Sequence, residues 1–129
     1  MKVFILPFGK IKILESNIAE LIINDTVVID AEMVYAYRNL LQSHLVAPFS
    51  LLINKEHGYS YTFDAQVAMG ELNDVIAFRA VVVYSQSAEM ATQIVMDINK
   101  SNNWNIKIFR ERQAALDWLL FNQNNKSAM

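Results

Sequence analysis

The chain has 129 residues, 53% of them hydrophobic and 19% charged, with a formal net charge of -2; that length predicts one domain able to bury its own core. Its 11 Lys and Arg are spread along the sequence, so no concentrated basic face of the kind nucleic acids require is visible. Cys is absent, which excludes disulfides, thiolate nucleophiles and thiolate metal sites and agrees with a reducing, cytoplasmic setting.

The first quarter reads as β. Val3 to Leu6 is a short apolar run stopped by Pro7 and Gly9, too short for a secretory signal. No apolar stretch reaches the roughly 18 residues of a membrane helix. Lys10 to Glu15 alternates polar and apolar, the period of a half-buried strand. Ser16-Asn17 supplies a turn, and Ile18 to Ile23 returns as the partner strand until Asn24-Asp25 ends it. An antiparallel meander at the edge of a sheet is expected.

Asp30 is placed to cap a helix, with Glu32 favourable to its dipole. Val34, Tyr37, Leu41 and Leu45 share one face of that helix, widened by Met33 and Leu40, and Pro48 stops it. Phe49 to Ile53 is apolar throughout, as a strand buried on both faces should be. Asn54 to Thr62 is the longest polar loop. Thr62 or Asp64 then caps a short helix carrying Phe63, Val67 and Leu72, weakened at Gly70 by about 1 kcal/mol relative to Ala. Asn73-Asp74 breaks it before a strand from Ile76 to Tyr84.

The helix from Ala88 to Asn99 is expected to bury Ala91, Ile94, Val95 and Ile98, which stand at i, i+3, i+4 and i+7. Ser101 to Asn103 ends it, Ile106 to Phe109 forms the last strand, and a final helix turns Ala115, Leu116, Leu119 and Leu120 inward with Trp118 at the margin. The polar tail, 122–129, is expected to fray beyond a domain spanning 1–121. The alternation of strands and helices predicts an α/β fold with a mixed, mostly parallel sheet, the N-terminal meander and about four helices.

In open parallel sheets ligands bind outside the carboxyl ends of the strands. The loops that qualify bring Lys55, Glu56, His57, Tyr59, Ser60, Tyr61, Ser85, Ser87, Arg110 and Arg112 to one edge. None of them spells a known catalytic set. His57 beside Glu56 offers an acid–base pair, set against an ordinary exposed histidine whose neighbour points away. Ser60 and Ser85 are the best-placed hydroxyls but neither lies in a nucleophile-elbow pattern, and 3 Gly cannot build a phosphate-cradling loop. Ser85-Gln86-Ser87 reads first as an N-cap and second as an anion cradle of backbone N–H groups. Arg110 and Arg112 oppose the dipole of the helix they open, a misplacement that can mark contact with an anion. Two isolated His and no Cys give no basis for a metal or cofactor site.

The closing segment, with Phe109 ending a strand and Ala115, Leu116, Trp118 and Leu119 on the helix after it, resembles the SpoIIAA-like proteins, a group of small bacterial proteins similar to STAS domains and to the CRAL-TRIO lipid-binding fold. The resemblance covers the last two-thirds of the chain. It implies a STAS-like regulatory or binding module that docks a protein partner or a second copy of itself near the Asn54–Thr62 loop. The anti-sigma-factor antagonists of that group carry a phosphorylation signature in the region matching Asn54 to Phe63. Ser60 and Thr62 stand there without the signature, which argues against a phosphoswitch; were one present, Ser60 would be the residue modified. A carrier of a small apolar or acyl ligand between helices and sheet is the second reading, and a hydrolase or transferase using Ser60 or His57 ranks last.

Overall fold

The computed structural model describes residues 2–71 and 75–128. Its order is β1 (Lys2–Leu6), β2 (Gly9–Glu15), β3 (Ile18–Ile23), β4 (Val28–Ile29), α1 (Ala31–His44), β5 (Phe49–Lys55), β6 (Ser60–Tyr61), α2 (Phe63–Gly70), β7 (Ile76–Val83), α3 (Gln86–Ile98), a 3-10 turn (Lys100–Asn102), β8 (Ile106–Phe109) and α4 (Arg112–Ala128). The main sheet runs β1-β2-β3-β5-β7-β8. Its first pairings are antiparallel, and those from β3 to β8 are parallel. The mixed sheet and edge meander are as the sequence predicts. The break expected at Asn73-Asp74, and Leu72 before it, lie outside the described residues.

The helix starts follow the capping chemistry. Met33 N–H donates to the Asp30 carboxylate at 2.9 Å, Ala65 N–H to the Thr62 hydroxyl at 3.0 Å and Ala88 N–H to the Ser85 hydroxyl at 3.1 Å. Each satisfies a donor that the first helical turn leaves unpaired. Gly70, a poor helix former, leaves room for two asparagine side chains. A Cβ there would stand 2.5 Å from the Asn102 side-chain nitrogen and 2.7 Å from the Asn99 side-chain oxygen. The missing side chain lets the end of α2 meet the end of α3.

Strand parity divides the core. On one face Leu21, Leu51, Ile53, Val81 and Val83 pack with Val34, Tyr37 and Leu41 of α1, Ala65 and Met69 of α2 and Val95 of α3. On the other, Ile18, Leu52, Ala80 and Val82 pack with Ala115 and Leu119 of α4. Trp118 closes that second core, its ring centroid 5.7 Å from those of Phe78 and Phe109. The residues that carried the family resemblance are thus a packing unit.

A buried carboxylate interrupts the second core. Glu20 of β3 is 1% exposed. Arg112, the first residue of α4, reaches it with two parallel hydrogen bonds, Nε to Oε2 at 3.0 Å and Nη2 to Oε1 at 2.8 Å. Asn54 of β5 donates a third at 2.8 Å. Burial pushes the carboxyl up, but hydrogen bonds from Arg112 and Asn54 and the charges of Arg112 and Lys12 outweigh it and hold it below the ordinary value. The anion that the misplaced Arg112 faces is therefore the chain's own.

Three expectations are corrected. The tail does not fray at 122: α4 continues to Ala128, because Gln123 is buried, accepts the Ser50 hydroxyl hydrogen bond and donates to the Pro48 carbonyl at 2.8 Å. Asn54 and Lys55 belong to β5 rather than to a loop, and a two-stranded parallel sheet of β4 with β6 shortens the polar segment further. The buried face of α3 is also different. Ala91, Ile94 and Ile98 are exposed, and Thr92, Val95 and Asn99 face the sheet. Counting apolar residues picks the wrong stripe because the polar pair is satisfied locally: Thr92 donates to the Ala88 carbonyl at 2.8 Å and Asn99 to the Val95 carbonyl at 3.1 Å.

Arg112→Met strands the Glu20 charge, and we expect a loss of about 3 kcal/mol in urea unfolding; adding Glu20→Leu should restore most of it, since an apolar pair avoids the desolvation cost. Gln123→Ala, which leaves the buried Ser50 hydroxyl unpaired, should cost about 1–2 kcal/mol in the same assay.

Candidate functional site

The carboxyl ends of β3, β5 and β7 carry the candidate site. The segment after β3 and the segment after β5 are tied together there. Thr26 N–H donates to the Gly58 carbonyl at 2.6 Å, and Gly58 N–H donates to the Asp25 carboxylate at 3.1 Å. Thr26 holds φ at 66° to make this contact, a left-handed conformation that a β-branched residue rarely adopts. Strand β6 then pairs with β4, with Ser60 opposite Val28 and Tyr61 opposite Ile29. Because alternate residues of an extended chain share a side, Tyr59 and Tyr61 project together, their hydroxyls 3.1 Å apart, on either side of exposed Ser60.

Both rings stand against Lys55. Its ammonium lies 5.4 Å from the Tyr59 ring centroid and 5.2 Å from that of Tyr61. Lys55 is only 8% exposed and forms no ion pair among the described residues. Burial pulls its amine down to about 8 and pushes the hydroxyls of Tyr37, Tyr59 and Tyr61 up.

Lys55 borders two spaces. Outward is an open cleft of about 100 Å³ lined by Lys55, His57, Gly58, Tyr59, Ser85, Ser87, Ala88 and Ala91. Inward, between the sheet and helices α2 and α3, is a chamber of about 10 Å³ lined by Lys55, Tyr61, Met69, Arg79, Thr92, Val95, Trp104 and apolar strand residues. Arg79 is 3% exposed. Its guanidinium stacks on Trp104 at 3.9 Å from the ring centroid, and burial lowers its pKa to about 10.

The architecture matches a known fold. A solved structure of an uncharacterized protein of the DUF3478 family from Shewanella loihica PV-4, described as having a SpoIIAA-like fold, superposes with a TM-score of 0.58 at 17% sequence identity, covering 86% of this chain and 91% of that one. The fold is SpoIIAA-like. No family model matches the chain, and no curated protein matches it.

Within the SpoIIAA-like fold the residues expected at the sheet edge separate. Lys55, His57, Tyr59 and Ser85 gather around the cleft, with Tyr61 behind them. Ser85 is the N-cap of α3. His57 and Glu56, expected to point apart, meet at 3.5 Å in the irregular turn, an exposed contact that contributes little to stability. Arg110 pairs with Glu89 at 3.0 Å, and Arg112 is committed to Glu20; neither joins the cleft. No three His, Asp or Glu among the described residues assemble as a metal would require, and no helix among them is long and apolar enough to cross a membrane.

Arg79, Thr92 and Trp104 belong to the inner chamber and were not singled out from the sequence. The signal for Arg79 was present: it is the one charge in Ile76–Val83, a strand otherwise apolar and buried. Thr92 and Trp104 carry no comparable mark.

Since the folded-state pKa of Lys55 lies below the value of 10.5 for a free lysine, the unfolded chain binds more protons between about pH 8 and 10.5, and stability rises with pH across that window. Of the groups around it, burial raises Tyr59 and Tyr61, and Arg79 gives up its proton only near 10. We expect Lys55→Met to be more stable than the parent at pH 7 by about 1–2 kcal/mol, with the gap closing toward pH 10 in denaturant titrations run at successive pH values.

Proposed function

We propose that this protein is a non-catalytic, STAS-like binding module that docks a protein partner. The observation that carries this reading is the outward face of α3. Met90 is 61% exposed and Ile94 57% exposed, and Ala91 and Ile98 complete an apolar surface that the chain's own core does not use. Val67 of α2 and Ile98 line a shared groove of about 290 Å³, and Phe63, one turn before Val67, is also exposed. Clustered exposed apolar side chains of this size mark association surfaces more often than idle ones. Acidic Asp64 and Asp97 lie on the same two helices, while Glu71 and Glu89 pair with Arg38 and Arg110; the two carboxylates left unpaired among the described residues favour a partner whose contact surface is apolar with a basic rim. Ala91 also lines the cleft beside His57 and Tyr59, so the face runs on toward the Asn54–Thr62 region.

The alternative, a carrier of an acyl ligand between helices and sheet, is less well supported. The chamber at that position has about 10 Å³, room for a water-sized occupant. An enzyme reading finds no nucleophile paired with a base among the described residues: the Ser85 hydroxyl is occupied as a cap, and His57 pairs with Glu56.

The paired substitutions Ile94→Glu and Ile98→Glu should leave the circular dichroism spectrum unchanged and abolish partner association. Hydrogen exchange of the parent complex should show new protection in α3 and in residues 56–59. Association that survives both substitutions, with no protection in α3, would rule out this face.

A further inference from the structure

Among the described residues, the inner chamber is lined by two cations and no anion. Lys55 and Arg79 both line it, at 8% and 3% exposure, and neither appears in any ion pair among the described residues. Strand parity explains the placement: Leu51, Ile53 and Lys55 of β5 share a face with Arg79, Val81 and Val83 of β7, and Leu51 pairs with Arg79 in the parallel register. The stacked Trp104 ring and the two tyrosine faces screen these charges in part but accept no strong hydrogen bond. Donors are correspondingly left over. Arg79 Nη2 and the Trp104 indole Nε1 are both buried without a partner, an arrangement that folded proteins rarely tolerate. Every orphaned group lining the chamber is a donor and both charges are positive. A water would satisfy one or two donors and neutralise nothing, whereas an anion answers both deficits at once. The volume, about 10 Å³, limits the occupant to a single atom or a very small group.

We propose that the chamber is a binding site for one monovalent anion of halide size, held between Lys55 and Arg79 with the Trp104 indole N–H as a further donor. Because Lys55 also lines the open cleft, the same negative charge has a second source, the carboxylate end of a small molecule entering from outside.

The test uses the whole chain. Thermal unfolding is followed at constant ionic strength in sodium gluconate, whose anion is too bulky to enter, with increasing substitution by bromide or by formate, and crystals are soaked in bromide. A bromide anomalous peak in the chamber, with a melting temperature that climbs with the logarithm of bromide concentration, is the expected result. Arg79→Gln should flatten that climb. Trp104→Phe, which deletes the N–H and keeps the ring, should weaken it if Arg79→Gln fails to fold. Stabilisation by formate without bromide would overturn the halide assignment and identify a carboxylate subsite. Equal melting temperatures in all salts, with no peak or with bromide only at exposed lysines, would overturn the site altogether.

Discussion

Glu20 is the one charge in β3, and it determines how α4 meets the sheet. A carboxylate at that depth is stable only if its oxygens are engaged, and the geometry engages them from two elements: Asn54 of β5 and the first residue of α4. The fork of Arg112 fixes orientation as well as distance. It sets the start of α4, and the helix then runs back across the sheet to place Ala115 and Leu119 against Leu52 and Val82 and Gln123 over Ser50. The negative charge also lies at the N-terminus of α4, where the helix dipole favours it. The Arg that opposes the dipole on its own is thereby offset by the partner it brings.

The two faces of the sheet treat charge differently. Beneath α4 the buried acid and base find each other. Beneath α1 to α3 the buried titratable groups among the described residues are cationic or phenolic, and aromatic faces lie against the two cations. Strand parity alone separates the systems, since Asn54 and Lys55 are adjacent in sequence and project to opposite sides of β5. The first system is closed and structural. The second opens through Lys55 toward the loop tied by Thr26 and Gly58, which places it at the edge where ligands of such sheets bind.

The order of elements along the chain, the helix number and the cap regions are legible in the sequence because each rests on local chemistry: the alternation of Lys10 to Glu15, the unbroken apolar run of Ala80 to Val83, and Asp30, Thr62 or Asp64, and Ser85 before their helices. What was not legible depended on distant partners. Nothing near Gln123 announces that Pro48 and Ser50 lie beneath it. Nothing near Arg112 names Glu20, 92 residues away. The inner stripe of α3 was misread because Thr92 and Asn99 are polar by composition yet bring their own acceptors. Half of the site, Lys55 to Tyr61 and Ser85, was reachable from topology. The other half required knowing which way Arg79 points.

The underside of α3 has a dynamic consequence. The helix rests on the sheet through Ala88, Thr92, Val95 and Asn99, a small contact area with one full aliphatic side chain. Thr92 and Asn99 keep their bonds to the helix backbone whether or not the sheet is present. Lifting α3 therefore exposes little apolar surface and orphans few polar groups, so its local opening free energy falls well below that of β5 or β7.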